Sequence, residues 1–294
     1  MNTTIKEPPV STAAGSIFAS DIPALHRERT LSVWSLASGS KANCTLIKTA
    51  AASILIDFGL SCRSTERALR EAGTDLSSVS GVFITHEHSD HIAGLPTFFK
   101  KYGICSAYGI PVHMTEPSYL AYIRGKGFEY RDNITVHPID YSFRVGDMTI
   151  QSMAVPHDSA ACVAYRITSD SGECAGICTD TGAPSERLLD FFSGCSDVIT
   201  ECNHDTVMLK CGIYPDELKR RILSNTGHTS NDDCAAFTVR LARRGVKNVL
   251  LAHISPENNT PELALYTVSE ALREAGCRLE RLVCAPRDTL FRFR

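Results

Sequence analysis

The sequence predicts an α/β protein in which two sheets, each covered by helices, form one domain. Short apolar strands alternate with helical segments in both halves of the chain, and the two halves contain similar elements. The 294 residues are 43% apolar, which is enough for a well-buried core. No repeat of a fixed short period is present in the sequence. We therefore expect residues 31–294 to form a single domain and residues 1–30 to be a flexible N-terminal tail.

The first half of the chain is rich in strands. Apolar runs predict strands over residues 31–36, 45–48, 53–57, 81–85, 111–114, 134–139, 148–155 and 162–168. Helical spacing predicts one helix over residues 62–72, which Gly73 ends, and another over residues 92–102. The predicted helices therefore lie between strands.

The second half repeats this organisation. Strands are predicted over residues 176–179, 197–200 and 247–254, and two short strands close the chain. Helices are predicted over residues 184–192, 215–223, 231–244 and 261–275. Ser230 can cap the third of these helices and Gly245 can end it, while Thr260 and Pro261 suit the start of the fourth. Each half thus supplies a sheet and the helices to cover it.

The charge balance predicts no global basic surface. The formal net charge is −3 at pH 7, so a nucleic acid would have to bind through local basic clusters. Two such clusters are Lys219, Arg220 and Arg221, and Arg243, Arg244 and Lys247. Either cluster could follow a phosphate backbone or could be a solvated helix face.

Two observations predict a cytoplasmic protein without a membrane span. The twelve cysteines are scattered and form no CxxC pair, so we expect reduced, small core residues rather than disulfides. The first 30 residues lack the pattern of a secretory signal, and no run of about 18 apolar residues occurs.

The hexapeptide from His86 to His91 predicts a metal site. It places three histidines and Asp90 within six residues, directly after the apolar run 81–85. In an extended segment His86 and His88 point to the same side, whereas Asp90 and His91, at the turn into the next element, face elsewhere. One loop can therefore supply two neighbouring metal centres. Imidazole and carboxylate ligands suit zinc and also manganese or iron, and the choice between zinc and manganese stays open.

Two metals need further ligands, and three candidates each follow an apolar strand. His157, Asp180 and His253 stand just after residues 153–156, 177–179 and 249–252. Strand ends that meet at one sheet edge are where α/β proteins assemble their sites. We therefore expect these three residues to converge on the loop that carries His86 to His91.

From residue 31 onwards the chain resembles the metallo-β-lactamase superfamily. The matching segments are Asp57-Phe58-Gly59, the loop 85–91, His157, Asp180-Thr181-Gly182 and His253. The resemblance implies an αββα sandwich of two mixed sheets covered by helices, with a dinuclear metal site at the sheet edges. Further segments resemble the YycJ/WalJ branch, which is associated with exonuclease action on DNA. These are residues 38–44 (SGSKANC), 201–205 (ECNHD), 227–231 (GHTSN), 253–255 (HIS) and Asn258-Asn259.

The resemblance also implies a ligand set. It assigns His86, His88 and His157 to one metal, Asp90, His91 and His253 to the other, and Asp180 to a bridge between them. The lactamases use a cysteine on the second metal, whereas this chain offers Asp180, although Cys178 lies two residues away. A site of nitrogen and oxygen ligands with a bridging aspartate is similar to that of phosphodiesterase members such as tRNase Z. This departure disfavours β-lactam hydrolysis.

A dinuclear site of this kind can hydrolyse a phosphodiester. Two divalent ions polarise a phosphoryl oxygen and lower the pKa of a bridging water. The leaving oxygen then needs a proton, and His228 is the candidate acid, with Glu201 as the carboxylate that orients it. Asp90 completes the candidate catalytic set. As an alternative, His228 caps the helix that begins near Ser230.

Other residues are expected to support the site. Asp57 is predicted to hold the metal-binding loops through hydrogen bonds without binding metal. His204 is either a similar partner of the metals or a residue at a helix start, and it is left out of the ligand set. The turn 38–43 offers groups that could hold a substrate phosphate, although a plain hairpin turn explains it nearly as well. Its candidate substrate-binding residues are Ser38, Ser40, Lys41 and Asn43.

The sequence therefore predicts a hydrolase with two divalent metal ions, zinc or manganese, with iron less favoured. The expected reaction is phosphodiester cleavage by an exonuclease whose partner is DNA. One alternative is hydrolysis of a small cyclic phosphodiester or of another ester or thioester at the same site. A different alternative is a metal-binding redox or regulatory protein without hydrolysis.

Overall fold

A computed structural model describes Met1 and residues 31–126 and 128–294. The tail predicted over residues 1–30 lies outside the described residues, apart from Met1. Two mixed sheets of seven strands each face one another in the described part of the chain. The predicted α/β class with two sheets covered by helices is confirmed.

The first sheet has the strand order β14-β1-β2-β3-β4-β5-β6. Strands β3 to β6 are parallel, and the remaining neighbours are antiparallel. The strands are β1 (Ser32–Ala37), β2 (Cys44–Lys48), β3 (Ser53–Ile56), β4 (Gly81–Phe83), β5 (Val112–Thr115), β6 (Ile134–His137) and β14 (Phe291–Arg292).

The second sheet has the order β13-β12-β11-β10-β9-β8-β7. Strands β10 to β13 are parallel, and β7 to β10 are antiparallel neighbours. The strands are β7 (Ser142–Val145), β8 (Met148–Val155), β9 (Cys162–Ser169), β10 (Cys174–Cys178), β11 (Asp197–Glu201), β12 (Asn248–Ala252) and β13 (Arg281–Cys284). Each half of the chain thus builds most of one sheet.

Helices lie in the connections between strands, and several of them cover the outer faces of the two sheets. They are α1 (Cys62–Glu71), α2 (Ser89–Ile92), α3 (Leu95–Lys101), α4 (Glu116–Lys126), α5 (Glu186–Phe191), α6 (Thr206–Cys211), α7 (Asp216–Ile222), α8 (Asn231–Arg243) and α9 (Pro261–Glu274). Two short 3₁₀ turns lie at Leu76–Ser78 and Phe128–Asn133. The predicted caps are present: Ser230 and Thr260 accept hydrogen bonds from the first turns of α8 and α9.

Three apolar layers hold the sandwich together. The central layer joins the inner faces of the two sheets, for example Ile54 and Phe83 with Ile150 and Tyr165. One outer layer packs α1, α3 and α4 on the first sheet, and the other packs α5, α8 and α9 on the second sheet. Burial of apolar area in these layers is the main force that positions the strand ends.

The structure corrects the predicted helix over residues 92–102. The chain forms α2 and α3 instead, and the two are separated at Gly94. A Cβ atom on Gly94 would lie 2.0 Å from the Leu60 carbonyl oxygen and 2.6 Å from the Phe58 ring. The chain passes too close to its neighbours here for any side chain, so α2 ends and Pro96 helps α3 to begin.

Three elements were missed by the prediction: α4, α6 and β7. Helix α4 contains Pro117 and Gly125, whose intrinsic propensities oppose a helix. Its buried Tyr122 and Ile123 pack on the first sheet, and this tertiary packing outweighs propensity. The other two elements, α6 and β7, have only six and four residues, which is too short for a clear period.

The twelve cysteines are free in the structure, and eight of them are buried as predicted. The predicted core position is wrong for Cys105 and Cys211, which are exposed, and for Cys277 and Cys284, which are half-buried. Cys174 lies close to Cys195, with 2.7 Å between their Sγ atoms, rather than to Cys178, its nearest cysteine in sequence. None of the helices in residues 31–126 and 128–294 is long and apolar enough to cross a bilayer.

Candidate metal centre

The predicted ligands follow strands that end at one edge of the sandwich. Strands β10, β11 and β12 are parallel, so Asp180, Glu201 and His253 reach the same edge. Strand β8 runs in the same direction as β10, because both are antiparallel to β9, and His157 therefore joins them. The first sheet contributes the residues that follow β4, beginning with His86.

Two hydrogen bonds fix the edges of the two sheets to each other beside this loop. The Val163 amide donates to the Thr85 carbonyl at 3.2 Å, and the Tyr165 hydroxyl donates to the Ile84 carbonyl at 2.8 Å. Both acceptors directly precede His86. The loop from the first sheet is thus held against the predicted ligands from the second.

Three site residues adopt left-handed backbone conformations. Asp57, Asp180 and His253 have φ values of 64°, 58° and 54°, and they are the only described residues other than glycine with positive φ. Each follows the end of a central strand. Such conformations cost free energy and cluster at functional sites, because the chain must turn sharply to aim a side chain. The outliers therefore agree with the prediction of a functional site at this edge.

The first cluster consists of His86, His88 and His157. One ring nitrogen of each lies within 4.8 Å of the others, and 3.3 Å separates His157 Nε2 from His88 Nδ1. Two nitrogen ligands of a tetrahedral zinc ion, each about 2.0–2.1 Å from it, stand about 3.4 Å apart. His86 Nε2 is buried and has no hydrogen-bond partner in the described part of the chain. The spacing and the unpaired nitrogen fit a metal ion.

Neighbouring groups hold these rings by their other nitrogens. His157 Nδ1 lies 3.1 Å from the Gly227 carbonyl oxygen, which can only accept a hydrogen bond. His86 Nδ1 lies 3.0 Å from the Thr85 hydroxyl. Burial lowers the pKa of His86 well below its ordinary value, which keeps the imidazole neutral as metal binding requires.

The second cluster consists of Asp90, His91, Asp180 and His253. His91 Nε2 is 3.3 Å from Asp90 Oδ2 and 3.2 Å from Asp180 Oδ2, and His253 Nε2 is 3.5 Å from a carboxylate oxygen of each aspartate. Asp180 groups with these residues and not with the three histidines of the first cluster. Its role as a bridge between two metals stays a prediction.

The buried carboxylates of the second cluster require positive charge. Burial alone would raise the pKa of Asp180, but His253 and His91 lower it well below its ordinary value. Burial likewise opposes the charged form of His253, and Asp180 nonetheless raises its pKa well above the ordinary range. Protons on the two histidines thus balance the carboxylates, and a divalent cation could replace them in this role.

Two carboxylates orient the histidines of the second cluster. Asp57 Oδ2 lies 2.8 Å from His91 Nδ1, and Glu201 Oε1 lies 2.9 Å from His253 Nδ1. Asp57 also accepts hydrogen bonds from the Thr85 amide and hydroxyl. It belongs to none of the three ligand clusters found among the described residues. A carboxylate behind a metal-binding histidine fixes the tautomer and the ring orientation.

The third cluster joins Glu201 and His228 to the predicted ligands Asp180 and His253. His228 Nδ1 is 2.7 Å from Glu201 Oε1, while Glu201 Oε2 accepts the Thr181 and Thr229 amides at 3.0 Å each. Burial would raise the pKa of Glu201, but the charge of His228 lowers it to about 2. The Glu201 charge in turn raises the pKa of His228 above its ordinary value, against the effect of burial.

The structure brings His228 to the predicted carboxylate and not to a helix cap. Ser230 caps α8 by accepting a hydrogen bond from the Asp233 amide at 3.1 Å. The His228 side chain is 20% exposed, whereas Glu201 is fully buried. A histidine that is held on one side and open on the other suits proton donation to a bound substrate.

The turn 38–43 has contacts other than those predicted. Ser38 and Asn43 are buried, and Ser38 Oγ accepts a hydrogen bond from the His253 amide at 2.9 Å. Asn43 Nδ2 is 3.0 Å from Asp90 Oδ2 and from His91 Nε2. These two side chains support the second cluster, while the neighbouring Ser40 and Lys41 are exposed.

The sequence interpretation missed several supporting residues. Asn203 donates to the His253 carbonyl at 2.8 Å, and Thr85 and Thr229 hold carboxylates as described above. Asn203 and Thr229 stand in quoted motifs, but only the folded chain reveals their partners. His204 belongs to no ligand cluster of the described residues, and both its buried ring nitrogens lack a hydrogen bond there. The cap of α6 is its neighbour Asp205.

The two basic clusters differ in position. Arg221 in α7 pairs with Asp158, which directly follows the metal-cluster residue His157. Lys247 precedes β12, at the sheet edge opposite to His253, and pairs with Glu280. Arg244 pairs with Asp190 in this second cluster. Only the α7 cluster therefore adjoins the candidate metal centre.

Residues 52–254 match the family described as the beta-lactamase superfamily domain. The exodeoxyribonuclease YycJ of Bacillus anthracis is 36% identical over 241 residues, which cover 82% of this chain and 89% of that protein. The exodeoxyribonuclease WalJ of Streptococcus pneumoniae serotype 2 is 34% identical over 242 residues, with coverage of 82% and 87%.

Two solved structures are similar to the chain in fold. The metallo-beta-lactamase fold protein YhfI from Bacillus subtilis gives a TM-score of 0.65 at 16% identity and covers 90% of this chain and 100% of that chain. The short form of human tRNase Z gives a TM-score of 0.59 at 16% identity, with coverage of 90% and 99%.

Proposed function

Because this chain belongs to the beta-lactamase superfamily, we propose that it is a metal-dependent hydrolase that cleaves phosphodiester bonds in DNA as an exonuclease. The observation that carries the proposal is the third cluster, in which the His228 and Glu201 pair adjoins Asp180 and His253. The exodeoxyribonuclease names of the two relatives, at 36% and 34% identity, support the same reaction and substrate.

Seven residues would hold two divalent ions: His86, His88 and His157, and Asp90, His91, Asp180 and His253. When bound, such ions polarise a phosphoryl oxygen and activate a water molecule. Nitrogen and oxygen donors suit zinc or manganese, with iron less favoured. Burial raises the pKa of the Cys178 thiol well above its ordinary value, and Cys178 joins no ligand cluster of the described residues. We therefore propose a site without a thiolate ligand.

His228 would deliver the proton that the leaving oxygen needs. Glu201 Oε1 lies 2.7 Å from His228 Nδ1 and accepts the hydrogen of that nitrogen. His228 Nε2 is therefore the nitrogen that can donate to a substrate. The two backbone amides on Glu201 Oε2 hold that carboxylate in place. Proton transfer by a positioned side chain typically contributes about 10²- to 10⁴-fold to a rate.

The assay is nuclease activity on 5′- and 3′-labelled single- and double-stranded DNA with added manganese or zinc, together with metal analysis. We expect release of nucleotides from one end, and we expect His88→Ala and Asp90→Ala each to abolish it. Arg278→Ala is the control, since Arg278 is exposed and precedes β13 at the opposite sheet edge. Normal turnover by either ligand variant would overturn the mechanism.

The same preparation distinguishes the alternative hydrolases. Bis(p-nitrophenyl) phosphate, a small cyclic phosphodiester and a thioester are compared with DNA. Faster hydrolysis of a small substrate than of DNA would replace the exonuclease proposal. Metal binding with no hydrolysis of any substrate would favour a redox or regulatory protein. A cytoplasmic location stays a prediction.

A further inference from the structure

A small cavity with two cationic side chains lies beside the second metal cluster. It has a volume of about 110 Å³, and its lining includes Lys41 from the turn 38–43, Ile254 after β12, and Arg287 and Asp288 before β14. Three segments that are far apart in sequence therefore meet here. Arg287 stands 246 residues after Lys41, and the sequence interpretation gave it no role.

The cavity is attached to the metal centre through its own wall. Asn43 Oδ1 accepts the Gly39 amide at 3.0 Å, and Asn43 Nδ2 donates to the Gly39 carbonyl at 3.1 Å. The same Nδ2 atom lies 3.0 Å from Asp90 Oδ2 in the second cluster. On the other side, Ile254 directly follows the ligand His253. A molecule bound in the cavity would therefore be separated from Asp90 by Asn43 on one side, and on the other side it would contact Ile254, the residue next to His253.

The two cations are available for a ligand. Lys41 and Arg287 are exposed, and neither forms a salt bridge with the residues that the structure describes. Arg287 donates one hydrogen bond, from Nη2 to the Ser255 carbonyl at 3.4 Å. Arginines elsewhere, such as Arg221 and Arg244, are paired with aspartates. Unpaired lysine and arginine side chains that face one cavity suit an anion with several acceptor oxygens.

We propose that this cavity binds the backbone phosphate of a nucleotide next to the scissile one, through Lys41 and Arg287. The inference rests on the proposed function and names the part of the substrate that the turn 38–43 contacts. When one phosphate of a polynucleotide lies at the metal clusters, the neighbouring phosphates must lie on the protein surface beside these clusters. That surface needs positive charge to bind them. The cationic cavity beside Asp90 and His253 meets that requirement. Asp288 also lines the cavity and opposes the anion by charge.

The test measures kcat and KM for a single-stranded oligonucleotide at several salt concentrations. For Lys41→Ala and Arg287→Ala we expect KM to rise about tenfold and kcat to change little. Loss of one phosphate contact on a single strand should also lower the slope of log affinity against log salt by about 0.7. The rate on bis(p-nitrophenyl) phosphate, which has no neighbouring nucleotide, should fall far less than the rate on DNA.

Two further variants should not raise KM. Asp288→Asn removes a repulsive charge, so KM for DNA should fall. Arg278→Ala removes a cation at the opposite sheet edge, so its KM should match that of the wild type. The proposal is overturned if Lys41→Ala and Arg287→Ala behave like Arg278→Ala, or if they lose as much activity on the small substrate as on DNA.

Oligonucleotide binding by fluorescence anisotropy separates this proposal from the hydrolase proposal. It is measured on a His88→Ala background, because His88 belongs to the first cluster and has no described contact with the turn 38–43. Weaker binding after Lys41→Ala and Arg287→Ala supports the cavity even if the wild type hydrolyses nothing. Unchanged binding in these two variants overturns the proposed role of the cavity even if the wild type is an active exonuclease.

Discussion

Glu201→Gln should weaken metal binding although Glu201 belongs to neither of the first two clusters. The substitution keeps the shape of the side chain and replaces one acceptor oxygen with an NH₂ donor. Each oxygen of Glu201 faces two donors: His228 and His253 Nδ1 at Oε1, and the Thr181 and Thr229 amides at Oε2. The new NH₂ group must therefore face one of these pairs.

The backbone amides cannot change their hydrogens, whereas the two imidazoles can. With the NH₂ group toward the amides, two buried donors would lose their acceptor, at about 1–3 kcal/mol each. The glutamine oxygen will therefore face the amides, and its NH₂ group will face the two histidines. His253 must then expose a bare Nδ1 and carry its hydrogen on Nε2, the nitrogen that faces Asp90 and Asp180.

A protonated Nε2 cannot bind a metal ion, so affinity at the second cluster should fall. Loss of such a supporting group typically costs about 10- to 100-fold in metal affinity, which is about 1.4–2.8 kcal/mol. Competition with a chromogenic chelator measures this affinity, and an excess of metal should restore part of the activity. Glu257→Gln makes the same change on an exposed carboxylate and should leave both quantities unaltered. Wild-type metal affinity in Glu201→Gln would refute the tautomer argument.

Three further substitutions test other contacts in the structure. Asp57→Ala removes the carboxylate behind a histidine of the second cluster and should lower metal affinity about 10- to 100-fold, again by chelator competition; unchanged affinity would contradict its supporting role. A hydrogen bond from Lys101 lowers the pKa of Glu66, so the pair contributes stability above the unfolded-state pKa of about 4.3 and loses it as pH falls through the lower folded-state value. Glu66→Gln should therefore destabilise the protein more at pH 7 than at pH 3 in chemical denaturation, and an equal loss at both values would exclude the ion pair as the cause. Gly94→Ala places a Cβ atom 2.0 Å from a carbonyl oxygen and should cost about 1–3 kcal/mol or more, whereas Gly125→Ala, in open space on α4, should gain about 0.5–1 kcal/mol; equal unfolding midpoints would contradict the close approach.

Local sequence patterns were sufficient to find the candidate ligands. His157, Asp180 and His253 each follow an apolar strand, and parallel strands bring such positions to one edge. The spacing of His86 and His88 predicted that they face one centre while His91 faces another. The structure places these residues in two clusters with that division.

Long-range contacts were not accessible from the same patterns. Asn43 looked like a residue that meets substrate, but its side chain turns inward to Asp90, 47 residues away. Arg287 reaches the turn 38–43 only because β14 lies beside β1. The break at Gly94 depends on the carbonyl of Leu60, which belongs to another loop. Each of these features depends on which segments of the chain lie side by side. The hydrophobic periodicity of a single segment does not show which other segments will be its neighbours.

The left-handed conformations of Asp57, Asp180 and His253 show the same limit. Aspartate is tolerated in this region, but nothing in the sequence required it of a histidine after β12. In the folded chain the His253 ring is held by Glu201 and its amide by Ser38. Tertiary contacts thus impose the conformation that aims the ring at the second cluster.

The most direct test of the two-metal account is a titration of metal-free protein with manganese or zinc while nucleotide release from end-labelled DNA is followed. The account predicts that activity is absent without metal and reaches its plateau at two equivalents per chain. Full activity without added metal, or a plateau at one equivalent, would contradict it.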